Sequence, residues 1–252
     1  MKPALAFNQP KLPTDWHSLP NGSLIKSELE QQLDDWWPKF FGYYMVKIGE
    51  LSAQLNTQSS PIKNQLSITQ QTKKGNILGE IDDLPLLEHS IDVCLLSHVL
   101  EFSLDPHHII REANRVLIPN GHIVITGYNP FSLAGLNKFI PFRRKHTPWE
   151  GRFFSPMRIK DWLHLMGYEI LADQRSLYST LSTEHKSGVV TKYWQKFASN
   201  YLTSLGSVYI IVAKKRVLPL TPIKPKWRLS PNFSPVKGVR VKGASVKASS
   251  KM

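Results

Sequence analysis

Cysteine is almost absent from this 252-residue chain: Cys94 stands alone, which excludes an internal disulfide and any multi-cysteine metal knuckle. Long apolar runs are missing as well. No segment approaches the ~20 consecutive apolar residues of a membrane-spanning helix, and residues 1–20 have neither the basic start nor the apolar centre of a signal peptide. A soluble, cytoplasmic protein is expected. Acid is missing from one end of the chain. Residues 185–252 hold 14 Lys/Arg and no Asp or Glu, with 11 of the 14 from Lys214 onward, whereas residues 1–184 hold 18 Lys/Arg against all 19 acids. The net charge of +13 is therefore a property of the C-terminus and not of the core.

What is present suits one α/β core with appendages, since 41% of the residues are hydrophobic. From residue 217 the chain turns rich in Pro, Ser, Val and Lys, and frequent prolines with high net charge predict a disordered tail over 217–252. Three readings of the tail stand: a solubilising extension, an arm that neutralises the phosphates of RNA or another acidic partner, or a membrane-surface contact aided by Trp227 and Phe233.

In the core, Leu29, Leu33, Trp37 and Phe40 fall at helical spacing, which predicts a helix over residues 21–41 with Ser23 as N-cap. Its aromatic face, Trp36, Trp37, Phe40 and Phe41, is expected to pack on a sheet. Residues 43–48 read as a buried strand ending at Gly49, and 65–69 and 76–81 as short strands. Residues 91–97 are a β-rich run suited to the middle of a sheet covered on both faces. Asp105-Pro106 opens a helix carrying Ile109, Ile110, Ala113, Val116 and Leu117 on one face, which Asn120-Gly121 closes before a strand at 122–127. Ser155-Pro156 opens another, followed by strands at 168–171 and 208–213. The link Thr72-Lys73-Lys74-Gly75 is too short for a parallel crossover and reads as a hairpin turn, which makes the strands beside it antiparallel. A mixed α/β sandwich with an open sheet results.

Gly79-Glu80-Ile81-Asp82-Asp83-Leu84-Pro85-Leu86, followed by Ser90-Ile91-Asp92-Val93 and Leu100-Glu101-Phe102, resembles the class I S-adenosylmethionine-dependent methyltransferases, in their type 11 branch. Arg111-Glu112-Ala113-Asn114-Arg115-Val116-Leu117 and Asn120-Gly121-His122-Ile123 are similar to that family's next helix, turn and strand. The chain as a whole is similar to the family's YafS-like bacterial group. The resemblance implies a Rossmann-like sandwich whose cofactor-binding half is reduced, with an N-terminal helical segment at 1–40, a methyltransferase-like domain at 41–216 and an insertion at 176–205. It implies S-adenosylmethionine as cofactor, approached by the backbone at Gly49. Glu80 stands where an acid meets the adenine amino group, Asp82 and Leu84 belong to the turn that covers the adenine, and Ser97 and His98 flank the methionine portion.

The chain departs from the pattern in two places. The glycine-rich loop is reduced to Lys47-Ile48-Gly49-Glu50-Leu51-Ser52-Ala53, with one glycine and a bulky Leu51, and the second strand runs into Gln70 and Gln71 where an acid should bind the ribose hydroxyls. A neutral amide lacks the strength of a charge-assisted bond. The expected function is methyl transfer to an unidentified small-molecule or macromolecular acceptor, with His98 or Glu101 as candidate base. The alternative is a catalytically inactive binding protein of the same fold whose basic tail contacts RNA or another acidic partner. Asn129-Pro130-Phe131 reads as a helix-opening turn, and His107 and His108 as a solvated face without metal spacing. In the insertion, Tyr178, Lys186, Tyr193 and Trp194 suit nucleic-acid stacking, a substrate lid or packing on the sheet edge.

Overall fold

A computed structural model of the chain describes residues 11–71, 75–139, 147–178, 181 and 205–216. All of them belong to the unit Met1–Val217; Leu218–Met252 form a second unit that lies outside the described residues, as does most of the insertion. In chain order the elements are α1 (Gly22–Asp34), β1 (Tyr44–Ile48), α2 (Glu50–Ala53), β2 (Asn64–Thr69), β3 (Ile77–Leu78), β4 (Ile91–Ser97), α3 (Pro106–Val116), β5 (Leu117–Tyr128), α4 (Leu133–Leu136), α5 (Pro156–Leu165), β6 (Tyr168–Ser176) and β7 (Val208–Lys215). The strands form one seven-stranded sheet in the order β3-β2-β1-β4-β5-β7-β6. All neighbours from β3 to β5 run parallel, and β7 runs antiparallel to both β5 and β6.

Alternation along β4 shows why its run is apolar throughout. Cys94 and Leu96 join the layer under α3 and α5, while Val93 and Leu95 join the layer under α1. Helix α3 starts where the sequence places it: the Asp105 carboxylate accepts the His108 N–H at 3.1 Å, with Pro106 in the first turn. Asp92 does a second local job. Its Oδ2 accepts the N–H groups of Tyr43 and Tyr44, both at 2.8 Å, and so clamps the start of β1 to β4.

Four expectations are corrected. β2 and β3 are parallel, with Ile68 beside Ile77 and Thr69 beside Leu78. A strand of only two residues needs a short return, not a crossover the length of a helix, so the brief link suffices and no helix separates them among the described residues. Helix α1 starts at Gly22 after Asn21 in the left-handed region, so Ser23 lies inside it, and it stops at Asp34. Pro38 cannot continue a helix, and Trp37–Lys39 form a separate 3-10 turn; Trp37 and Phe40 are buried but Phe41 is exposed. Asn120-Gly121 does not close α3, which ends at Val116; instead it sits in a bulge of β5, where the register against β4 jumps between Leu117 and His122. His107 packs its ring 3.9 Å from that of Trp162 and is not a purely solvated face.

Lys47 of β1 is buried under the α1 layer, where its Nζ donates to the carbonyl of Leu55 at 2.9 Å. Burial lowers its pKa from 10.5 to about 8, against the raising effect of the Glu30 carboxylate. Between these values the folded protein releases a proton that the unfolded chain keeps, so stability rises with pH across that window. Urea midpoints at about pH 7.5 and about pH 9.5 should therefore show a rise in the wild type that Lys47→Met lacks. Equal pH dependence in the two proteins would refute this.

Candidate active site

Strand order reverses between β1 and β4: the chain runs outward from β1 to β2 and β3, then returns to β4 and β5 on the other side. In open α/β sheets the crevice beyond the carboxyl ends of the strands at that point is where ligands bind. Gly49 ends β1 there with φ 90°, and a Cβ on it would lie 2.8 Å from Val99 Cγ2, so the backbone conformation and the close approach to the β4 exit both require glycine. Ser52, in the turn that follows, accepts the Ser97 N–H on its Oγ at 2.7 Å, and the Ser97 hydroxyl is shared with Thr126 Oγ1 at 2.8 Å. Ser97 thus locks the loop, β4 and β5 together.

His98 follows in the left-handed region at φ 51°, a strained conformation for a non-glycine residue, with its backbone N–H held by Thr126 O at 3.0 Å. Its ring lies 4.3 Å from that of Tyr128 and 5.6 Å from that of Trp16. Nδ1 is 3.3 Å from Glu101 Oε1, yet neither ring nitrogen has a hydrogen-bond partner. Glu101, equally buried, accepts the Tyr128 N–H on Oε1 at 2.8 Å, while its Oε2 and the Tyr128 hydroxyl are without partners. Burial pushes the Tyr128 phenol up, and the Glu101 charge adds to the effect. Gly127 makes room for this cluster, since a Cβ there would stand 2.6 Å from Glu101 Oε1.

Toward β3 the edge becomes exposed. Glu80 accepts from the Gln70 amide at 2.6 Å, and Asp82 borders a small cavity of about 30 Å³ with Gln70, Phe102 and Asp105, room for a water or two. Leu84 is a buried core residue, and its carbonyl, with that of Leu86, is held by Arg115, whose guanidinium also pairs with Glu112 at 2.8 Å. The motif letters Glu112 and Arg115 therefore anchor the acidic turn. Asn129 serves the turn that opens α4, accepting the Phe131 N–H and tying Gly206 O to the end of β5.

The residues anticipated from sequence split into two groups: Gly49, Ser97 and His98 at the exit of β1 and β4, and Glu80, Asp82 and Leu84 along the β3 side. Three participants were not anticipated in their roles. Trp16 donates its indole N–H to Leu51 O at 3.1 Å and covers His98, and Leu51 packs in the α1 layer with it. Tyr128 forms the floor. Glu50, 2% exposed, accepts the Gln70 and Gln71 N–H groups on Oε1 at 2.9 and 2.8 Å, leaving Oε2 buried without a partner. Only the acid's position in the loop signalled it.

Residues 48–125 match the methyltransferase domain family. The chain is 38% identical over 221 residues to the uncharacterised protein YafS of Escherichia coli K12, covering 88% of each chain. The chain belongs to the family of YafS and carries a methyltransferase domain at residues 48–125. In fold it is similar to an S-adenosylmethionine-dependent methyltransferase from Archaeoglobus fulgidus, at 19% identity and TM-score 0.55, and to one from Thermotoga maritima, at 18% and 0.51; each likeness covers 80% of this chain and all of the other. Both of these neighbours depend on S-adenosylmethionine. The donor set at this edge suits that cofactor: its unpartnered atoms are carboxylate oxygens of Glu50 and Glu101, the imidazole nitrogens of His98 and the Tyr128 hydroxyl, which can meet a ligand that brings hydroxyl groups, an ammonium and a sulfonium charge. Each unpaired buried polar group costs about 1–3 kcal/mol until a ligand or water meets it.

Trp16→Ala should cost about 3 kcal/mol in denaturant unfolding and expose His98 to diethylpyrocarbonate. A variant in which His98 stays as protected as in the wild type would show that Trp16 does not cover it in solution.

Proposed function

We propose that this methyltransferase moves a methyl group onto a protic acceptor held over the carboxyl ends of β4 and β5. The observation that supports the reading is the cluster of buried, unpartnered polar atoms on His98, Glu101 and Tyr128 at the point of strand reversal. S-adenosylmethionine, when bound, supplies an electrophilic methyl on sulfur, so the protein's work is to align the acceptor, exclude water and take a proton.

The division of labour follows the family resemblance. Gly49 lets the loop backbone approach the donor, Glu80 accepts from the adenine amino group, and Asp82 with the Leu84 turn covers the adenine face. Ser97 keeps the loop against β4, and His98 flanks the methionine portion. His98 takes the acceptor's proton on a ring nitrogen, and Glu101, 3.3 Å away, stabilises the imidazolium that results. The aromatic walls of Trp16 and Tyr128 keep water from the reacting atoms. Trp16 must swing aside for the ligands to reach His98, since both ring nitrogens are sealed from solvent.

Isothermal titration with S-adenosylhomocysteine is expected to show one site per chain, and Glu80→Ala to weaken it by about tenfold or more. A flat wild-type trace at millimolar ligand would remove the catalytic reading and leave a binding protein that has kept the sheet.

A further inference from the structure

β2 ends without an acid: Thr69 is followed by Gln70 and Gln71. A carboxylate is nevertheless present at that strand end, delivered from the loop after β1. Glu50 places one oxygen on both N–H groups just past β2, and that grip, twenty residues away in sequence, fixes the side chain in orientation. The other oxygen is buried and has no partner among the described residues. Beside it, the Gln70 amide donates to Glu80, so the carboxyl edge of β1, β2 and β3 carries a row of Glu50, Gln70 and Glu80. The row runs away from His98, toward the β3 edge of the sheet.

In open α/β sheets that bind nucleosides at the switch point, an acid at the end of the second strand receives the ribose hydroxyls. An ionised carboxylate oxygen can only accept, and a vicinal diol can only satisfy it by donating. Resting on the methyl-donor reading above, we infer that Glu50 is the ribose-binding acid of this chain, moved from the end of β2 to the residue after Gly49. The Gln70-Gln71 pair then has a different purpose from a weakened ribose contact: its backbone N–H groups hold the substitute acid in place.

The test uses two probes on the full-length protein, S-adenosylhomocysteine and its 2′-deoxyribose analogue. The wild type should prefer the ribose form by about tenfold or more, because the deoxy analogue leaves the Glu50 oxygen unpaired. Glu50→Gln, with folding checked by thermal unfolding, should lose most of that preference, and Gln70→Ala should keep it. A wild type that binds both analogues equally, or a Glu50→Gln protein that retains the full preference or weakens both ligands by one factor, overturns the assignment while methyl-donor binding stands. A wild type that binds neither probe overturns both. Should Glu50→Gln fail to fold, Glu50→Asp takes its place: it should narrow the preference, and a Glu50→Asp protein that keeps it in full overturns the assignment.

Discussion

Two buried carboxylates govern the working edge of this sheet, and both divide their oxygens in the same way. Glu101 gives one oxygen to the N–H of Tyr128, and Glu50 gives one to the N–H groups of Gln70 and Gln71. These bonds join the loops after β1 and β4 to the ends of β2 and β5. The second oxygen of each is left over in a region closed to water. Removing an ionised group from water is tolerated only when it is well hydrogen-bonded, so half of each carboxylate is justified by the fold and half by what binds.

The same edge explains the strain nearby. His98 sits at positive φ because its N–H must reach Thr126 O while its ring turns back between Tyr128 and Trp16. Gly49 and Gly127 supply the close approaches that a side chain would forbid. Strained backbone, glycine at contact points and unpaired buried polar atoms lie within a few residues of one another. Away from this edge, β4 and β5 carry apolar side chains on both faces.

The half of the sheet made by β1, β2 and β3 is lean. β3 has two residues and α2 four, and no helix lies between β2 and β3 among the described residues. The other half is well covered, α3 and α5 closing one face of β4, β5 and β7. Thinness on one side leaves the acidic turn at Asp82 to Leu84 supported chiefly from α3, through Arg115 and its bonds to Leu84 O and Leu86 O. That reach ties the turn to a helix with which Leu84 shares a core layer.

Local chemistry settled much of this in the amino-acid order: the bounds of β4, the Asp105-Pro106 start of α3, the Ser155-Pro156 start of α5, and the placement of Gly49, Ser97 and His98 at strand ends. Those features depend on period, caps and turn residues within a few positions, which a linear reading captures. The direction of β3, the cover of Trp16 over His98 and the bonds of Glu50 to Gln70 and Gln71 were decided only by tertiary structure. Each joins residues brought together by strand pairing or layer packing, 35 positions apart for Trp16 and Leu51 and 20 for Glu50 and Gln70. Neither spacing nor propensity carries information about which distant N–H a carboxylate will meet; the sheet order does.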